Sequence, residues 1–165
     1  TFNKDLFKRI ESNISNKDSM LNLVSRSYRD VDQYLKDNNR NDVGVLILTG
    51  GWIESLYLMT NLATLKKDDE LLRRIGEQKY PLDNLIKILS PYYNISNEYA
   101  QLIDGLIDLA YEFDGVDINY TYVPPTVEPQ KKLTTINSKS ELIMSEQQLK
   151  TISEKVSEIR KKIVE

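Results

Sequence analysis

The chain has 165 residues, 40% of them apolar and 28% charged, with a net charge of −3 and neither cysteine nor histidine. Such a composition suits a soluble chain long enough for a real core, and it offers no basic footprint for nucleic acid or an anionic membrane surface. The two missing residue types exclude thiol nucleophiles, Ser-His pairs, zinc sites with His or Cys ligands and Glu-x-x-His di-iron bundles, so neither a cofactor nor a metal is expected.

Along the first segment, apolar side chains recur at Phe7, Ile10, Ile14, Leu21, Val24, Tyr28, Val31 and Leu35. A single heptad phase of this kind predicts one long helix, or two collinear ones, whose seam meets a neighbour. The poor helix formers SNISNKDS allow a break near Asn13 to Asp18. Asn38, Asn39, Arg40 and Asn41 supply a turn, after which Asp42 is an acceptable N-cap.

The stretch from Val43 to Leu65, VGVLILTGGWIESLYLMTNLATL, is the expected organising element, because apolar residues lie all around its helical wheel and such a helix calls for cover on every side. Glu54, with Thr49, Ser55, Thr60 and Asn61, interrupts the run of about 20 apolar residues that a membrane span requires. A buried central helix is therefore expected. Gly50 and Gly51 sit in mid-helix, where each costs about 1 kcal/mol against alanine. Close packing of a neighbouring backbone, with Trp52 filling the space beside it, is the expected offset. The alternative is a small pocket formed at Gly50, Gly51 and Trp52, with Glu54 as its polar group.

Past Thr64 the chain turns, and Asp68, Asp69 and Glu70 load the start of the next helix with favourable charge. Leu72, Ile75, Leu82, Ile86 and Leu89 keep one phase through Pro81, which predicts a single helix kinked at the proline. Tyr92 and Tyr93 stand in the following loop. The next helix has Tyr99, Leu102, Ile103, Leu106, Ala110 and Phe113 on its inner side and ends at Gly115. Asp104, Asp108 and Glu112 form an outer row that either offers oxygen ligands to a divalent cation or is the solvated face of an amphipathic helix, and the solvated face is the expected reading; Asp114 to Asn119 lack the ligand spacing of a calcium loop.

Val116, Ile118, Tyr120 and Tyr122 alternate with polar residues in the manner of a half-buried strand, and Pro124, Pro125 and Pro129 then interrupt regular structure. The segment KKLTTINSKSELIM reads as a hairpin turning at Asn137 to Lys139 or as an extended strap across the bundle. Ser145 and Gln148 form a capping box opening a last helix with the stripe Leu149, Ile152, Val156, Ile159 and Ile163. The assembled expectation is an all-α single domain over 1–165: an antiparallel bundle of about five helices around a central apolar helix, with 116–144 as a short extended or hairpin insertion.

No nucleophile stands at a telling spacing from a base, so the expected function is non-catalytic binding. Tyr92, Tyr93, Tyr120 and Tyr122 are the expected contact surface for a ligand or partner, because tyrosine joins a rigid apolar face to a polar tip. A small-molecule carrier or enzyme with a pocket near Gly50, Gly51 and Glu54 is the alternative. A protein or small-molecule partner is expected, with no nucleic acid and no transmembrane span. The string GWIESLYL, from Gly51 to Leu58, resembles a segment of uncharacterised all-helical bacterial proteins that are often exported and lipid-anchored. That resemblance implies a periplasmic or cell-envelope location and a lipid anchor upstream of Thr1, and it brings no catalytic residues with it.

Overall fold

The computed structural model describes residues 4–66 and 68–164, most of them helical. Seven helices are described: α1 (Lys4–Asn13), α2 (Lys17–Asp37), α3 (Asn41–Leu65), α4 (Asp69–Gly76), α5 (Lys79–Leu89), α6 (Asn97–Asp114) and α7 (Glu146–Val164). Between α6 and α7 lie four short strands, β1 (Asp117–Thr121), β2 (Thr126–Glu128), β3 (Leu133–Thr135) and β4 (Lys139–Ile143). The all-helical expectation thus holds for the greater part of the chain, with a small β portion added to it. The chain divides into two compact units, Thr1–Ile47 and Leu48–Glu165, where the sequence suggests one domain over 1–165.

In the first unit the helix break falls at 14–16, inside the segment of poor helix formers. Asn16 caps α2 by accepting a hydrogen bond from the Ser19 amide at 3.0 Å, which satisfies one of the free N–H groups of a new helix start. The heptad seam does not have the expected cover. Phe7, Ile14, Leu21, Val24 and Tyr28 are exposed, whereas Leu23, outside that register, is buried. Periodicity marks a face as apolar, and an apolar face on a folded protein need not be covered.

In the second unit, α5, α6 and α7 pack as antiparallel neighbours. Lys79 at the start of α5 reaches the carbonyl and carboxylate of Asp114 at the end of α6. Lys155 of α7 donates to the Asp108 carbonyl and pairs with Glu112 at 3.0 Å. Burial follows from the 3-4 spacing: Leu82, Leu85 and Leu89 on α5, Ile103, Leu106, Leu109 and Phe113 on α6, and Ile152, Val156 and Ile159 on α7 form one core with Ile75 of α4 and Ile53 and Leu56 of α3. Gly105 lets Ile159 approach α6, since a Cβ there would lie 3.3 Å from its Cγ1.

Two expectations are corrected here. The helix does not run through Pro81 with a kink; α4 ends at Gly76 and α5 restarts at Lys79. Ending the helix upstream places Pro81 in the first turn of α5, where a missing N–H costs no hydrogen bond. Nor is α3 covered on all sides. It buries one stripe, Thr49, Ile53, Leu56, Thr60 and Ala63, while Leu48, Leu58, Leu62 and Leu65 are exposed. By length and composition α3 is apolar enough to cross a bilayer, and only 22% of its most apolar stretch is buried.

Leu106, fully buried between α5 and α7, gives a test of this core. Leu106→Ala is expected to cost about 2–5 kcal/mol through lost transfer energy and a residual cavity, measured as a lower midpoint in urea unfolding.

Candidate functional site

The strands build one long arm. In β1 and β4, which pair antiparallel, Ile118 stands opposite Leu142 and Tyr120 opposite Ser140. In β2 and β3, also antiparallel, Thr126 faces Thr135 and Glu128 faces Leu133. Four residues, 122–125, on the outgoing side oppose three, 136–138, on the return, so the two ladders are parts of one hairpin separated by a bulge. Pro124 and Pro125 have no N–H to give there. Side chains stand in: Asn137 Nδ2 donates to the Pro124 carbonyl and to Thr126 Oγ1, both at 2.9 Å, and Ser138 Oγ accepts from the Val123 amide at 3.2 Å.

The tip is at Pro129–Lys131, a 3₁₀ turn followed by Lys132 in the left-handed region at φ 51°. The expected turn at Asn137 to Lys139 is therefore misplaced. Asn137 and Ser138 are the residues that stitch the bulge, a role which draws on the same hydrogen-bonding side chains that favour turns.

At its base the arm is held firmly. Val116 is buried, and Leu142 packs over Gly76, where it occupies the space a Cβ would need. Gln148 ties both ends together: its Nε2 donates to the Gly115 carbonyl just before β1, while its Oε1 accepts from the amide and hydroxyl of Ser145 just after β4. The capping box read from sequence is thus also a clamp on the insertion. Beyond the base, from Asn119 to Glu141, only Glu128, Asn137 and Ser138 are half-buried and the rest are exposed. The arm does not lie across the helices as a strap; about ten residues at 3.3 Å each make it roughly 30 Å long.

The expected tyrosine surface is divided. Tyr120 and Tyr122 project from the arm at 64% and 66% exposure, and Tyr120 continues the strand face that begins with Ile118 at the base. Tyr92 and Tyr93 lie before α6, with Tyr92 stacked on Tyr99 at a centroid distance of 5.7 Å and the Tyr93 hydroxyl donating to Asp104 Oδ2 at 3.3 Å. The 18 residues of α6 span about 27 Å, so the two tyrosine pairs start from opposite ends of that helix. The arm's aliphatic side chains Val127, Leu133 and Ile136, all exposed, are apolar residues that the sequence reading does not single out; only the hairpin register brings them into one arm with Tyr120 and Tyr122.

Around the paired glycines the geometry is different from either expectation. A Cβ at Gly50 would meet nothing within 4 Å among the described residues, so no close backbone lies over that position. The Trp52 indole donates to Gln78 Oε1 at 2.9 Å. Glu54 receives Nε and Nη2 of Arg160 at 2.5 and 3.2 Å, and the same guanidinium lies 4.6 Å over the Tyr57 ring. A planar fork suits both contacts at once. Gly51 is exposed. Among the described residues shallow concavities occur elsewhere, such as one of about 270 Å³ near Arg9, Asn22 and Arg26 in the first unit and one of about 420 Å³ between α4 and β4 beside Leu72, Leu142 and Met144. Among the described residues no three acidic groups converge as metal ligands; Asp104, Glu112 and Asp114 each face a separate partner.

Comparison with protein-family models, curated proteins and solved structures yields no match.

Asp104 holds the Tyr93 hydroxyl above the ordinary tyrosine range, first by its hydrogen bond and then by its charge. Because the folded value is raised, this contribution is present below the ordinary tyrosine pKa of about 10 and fades as pH rises through the raised value. Asp104→Asn should bring the Tyr93 titration, followed by ring carbon NMR, back toward that of ordinary tyrosine. For the clamp, Gln148→Ala should cost about 1 kcal/mol as a lost cap and speed hydrogen exchange at the Ile118 and Leu142 amides more than in α6.

Proposed function

We propose that this protein is a non-catalytic binding module whose β-hairpin arm contacts a protein partner. The observation that carries the reading is an arm clamped at its base by Gln148 and exposed along its length, with Tyr120, Tyr122, Val127, Leu133 and Ile136 offered to solvent. Exposed aromatic and aliphatic side chains, interleaved with threonine and lysine, have the composition of a recognition surface. A hairpin outside the core also has two open backbone edges for strand addition.

Tyr92 and Tyr93 belong to this proposal only as a secondary surface. The carrier or enzyme reading would need a pocket at Gly50, Gly51, Trp52 and Glu54; the engagement of Glu54 by Arg160 and of Trp52 by Gln78 gives it no support. We read α3 as packed rather than spanning, on the strength of those same polar contacts at mid-helix. An extracytoplasmic location remains part of the proposal and rests on the GWIESLYL resemblance.

Photo-crosslinking in the native cell tests the reading. A crosslinking residue at Tyr122 or Ile136 is expected to give one discrete protein adduct that is absent when the same residue replaces the exposed Asp83 of α5. No adduct at the arm, or equal labelling at all three positions, would overturn it. Replacement of Asn119–Glu141 by a short Gly-Ser linker should abolish copurification of the protein found in the adduct and shift the unfolding free energy by less than about 1 kcal/mol, because so little apolar surface is buried there.

A further inference from the structure

We infer that α3 is a self-association surface, on which a second copy of this chain docks with its own α3 running antiparallel. The surface is the stripe Leu48, Gly51, Ser55, Leu58, Leu62 and Leu65, every member of which is exposed. At 100° per residue this stripe lies on the far side of the helix from the buried stripe Thr49, Ile53, Leu56, Thr60 and Ala63. A second helix can therefore approach without meeting α4 to α7.

Three features of the stripe select another copy of itself as the occupant. The first is spacing, which reads 3, 4, 3, 4, 3 from either end. An antiparallel two-fold pairing centred between Ser55 and Leu58 therefore puts every stripe position opposite another stripe position, as a shared face between identical copies requires. The second is size: that register sets Gly51 against Leu62 and Ser55 against Leu58, with Leu48 against Leu65 at the ends. Small opposite large lets two helices interdigitate at the shallow crossing angle of a 3-4 pattern.

Charge is the third feature. From Leu48 to Leu65 Glu54 is the sole charged residue, and Arg160 of the same chain already engages it. Two copies thus meet without like-charge repulsion. At a lipid surface lysine and arginine would flank the apolar face; Lys66 and Lys67 do follow the stripe, but Asp68, Asp69 and Glu70 come directly after them and offset that charge. The paired stripes bury on the order of 1,000 Å² in total, the size of a weak and reversible interface. The inference goes beyond binding by the arm and does not depend on it.

Sedimentation velocity on the full chain, from about 5 to 500 µM, should show a monomer–dimer equilibrium with a dissociation constant on the order of 10–100 µM. Ser55→Lys alone and Leu58→Glu alone should each weaken it at least about 30-fold, since each buries an unpaired charge at the centre of the contact. An equimolar mixture of the two should associate again, within about 10-fold of the wild type, because lysine then faces glutamate across the two-fold register. Both positions are exposed, and thermal melts check that each variant remains folded. A wild-type monomer at the highest concentration, a dimer indifferent to the single substitutions, or a mixture that stays monomeric would each overturn the inference. So would a monomeric chain that floats with neutral phosphatidylcholine vesicles, which would assign the stripe to lipid.

Discussion

Packing of α6 between α5 and α7 is the constraint on which the second unit depends. Four of its side chains, Ile103, Leu106, Leu109 and Phe113, are almost wholly excluded from water, at roughly 1.5–3 kcal/mol of transfer energy each. The absence of a side chain at Gly105 allows Ile159 to close on that core from α7. Once α6 is fixed, so is everything at its ends. Tyr92 and Tyr93 precede its first turn, and the arm leaves immediately after its last. The clamp by Gln148 then depends on the register of α7 against α6, because one turn of slippage would carry its amide about 5.4 Å from the Gly115 carbonyl.

What could be read in the sequence follows from how local each signal is. The start of α7 was legible because a capping box is a contact between residues three apart, and Ser145 and Gln148 make it. The core stripe of α6 was legible for the same reason, apart from Leu109, which lies in the buried sector beside the residues chosen for it. Cover is not local. Leu21, Val24 and Tyr28 have the same periodicity as Ile152, Val156 and Ile159, yet the first three are exposed and the second three buried. Only the position of other elements distinguishes them. The apolar circumference of α3 likewise carried no information on which of its sides would be covered.

The arm shows the opposite failure, a local rule applied to the wrong residues. In the sequence Asn137 and Ser138 read as part of a turn, and short polar side chains of this kind compete for backbone groups. They do so here, but across the hairpin, where Pro124 and Pro125 deprive the ladder of donors. A proline pair in one strand creates a demand for side-chain donors in its partner, and that demand is readable only after the register is known. Register in turn came from the tip at Pro129 to Lys132, where a left-handed residue closes the turn.

Two apolar surfaces face solvent in the second unit, and they differ in rigidity. The α3 stripe is fixed by a helix whose other side is core, so pairing on it costs little conformational entropy and a fixed, repetitive partner suits it. The arm is ordered by its own ladders, the Asn137 and Ser138 bridges and the clamp at its base. Its tip is supported by contacts such as the exposed Lys131–Glu128 pair, which is worth little in water. Elements with few buried apolar contacts open at low free energy, and that freedom lets an arm adapt to a partner whose surface it does not mirror. Coupling the two would place a pair of adaptable arms on one rigid joint, so that engagement of the first arm raises the effective concentration of the second.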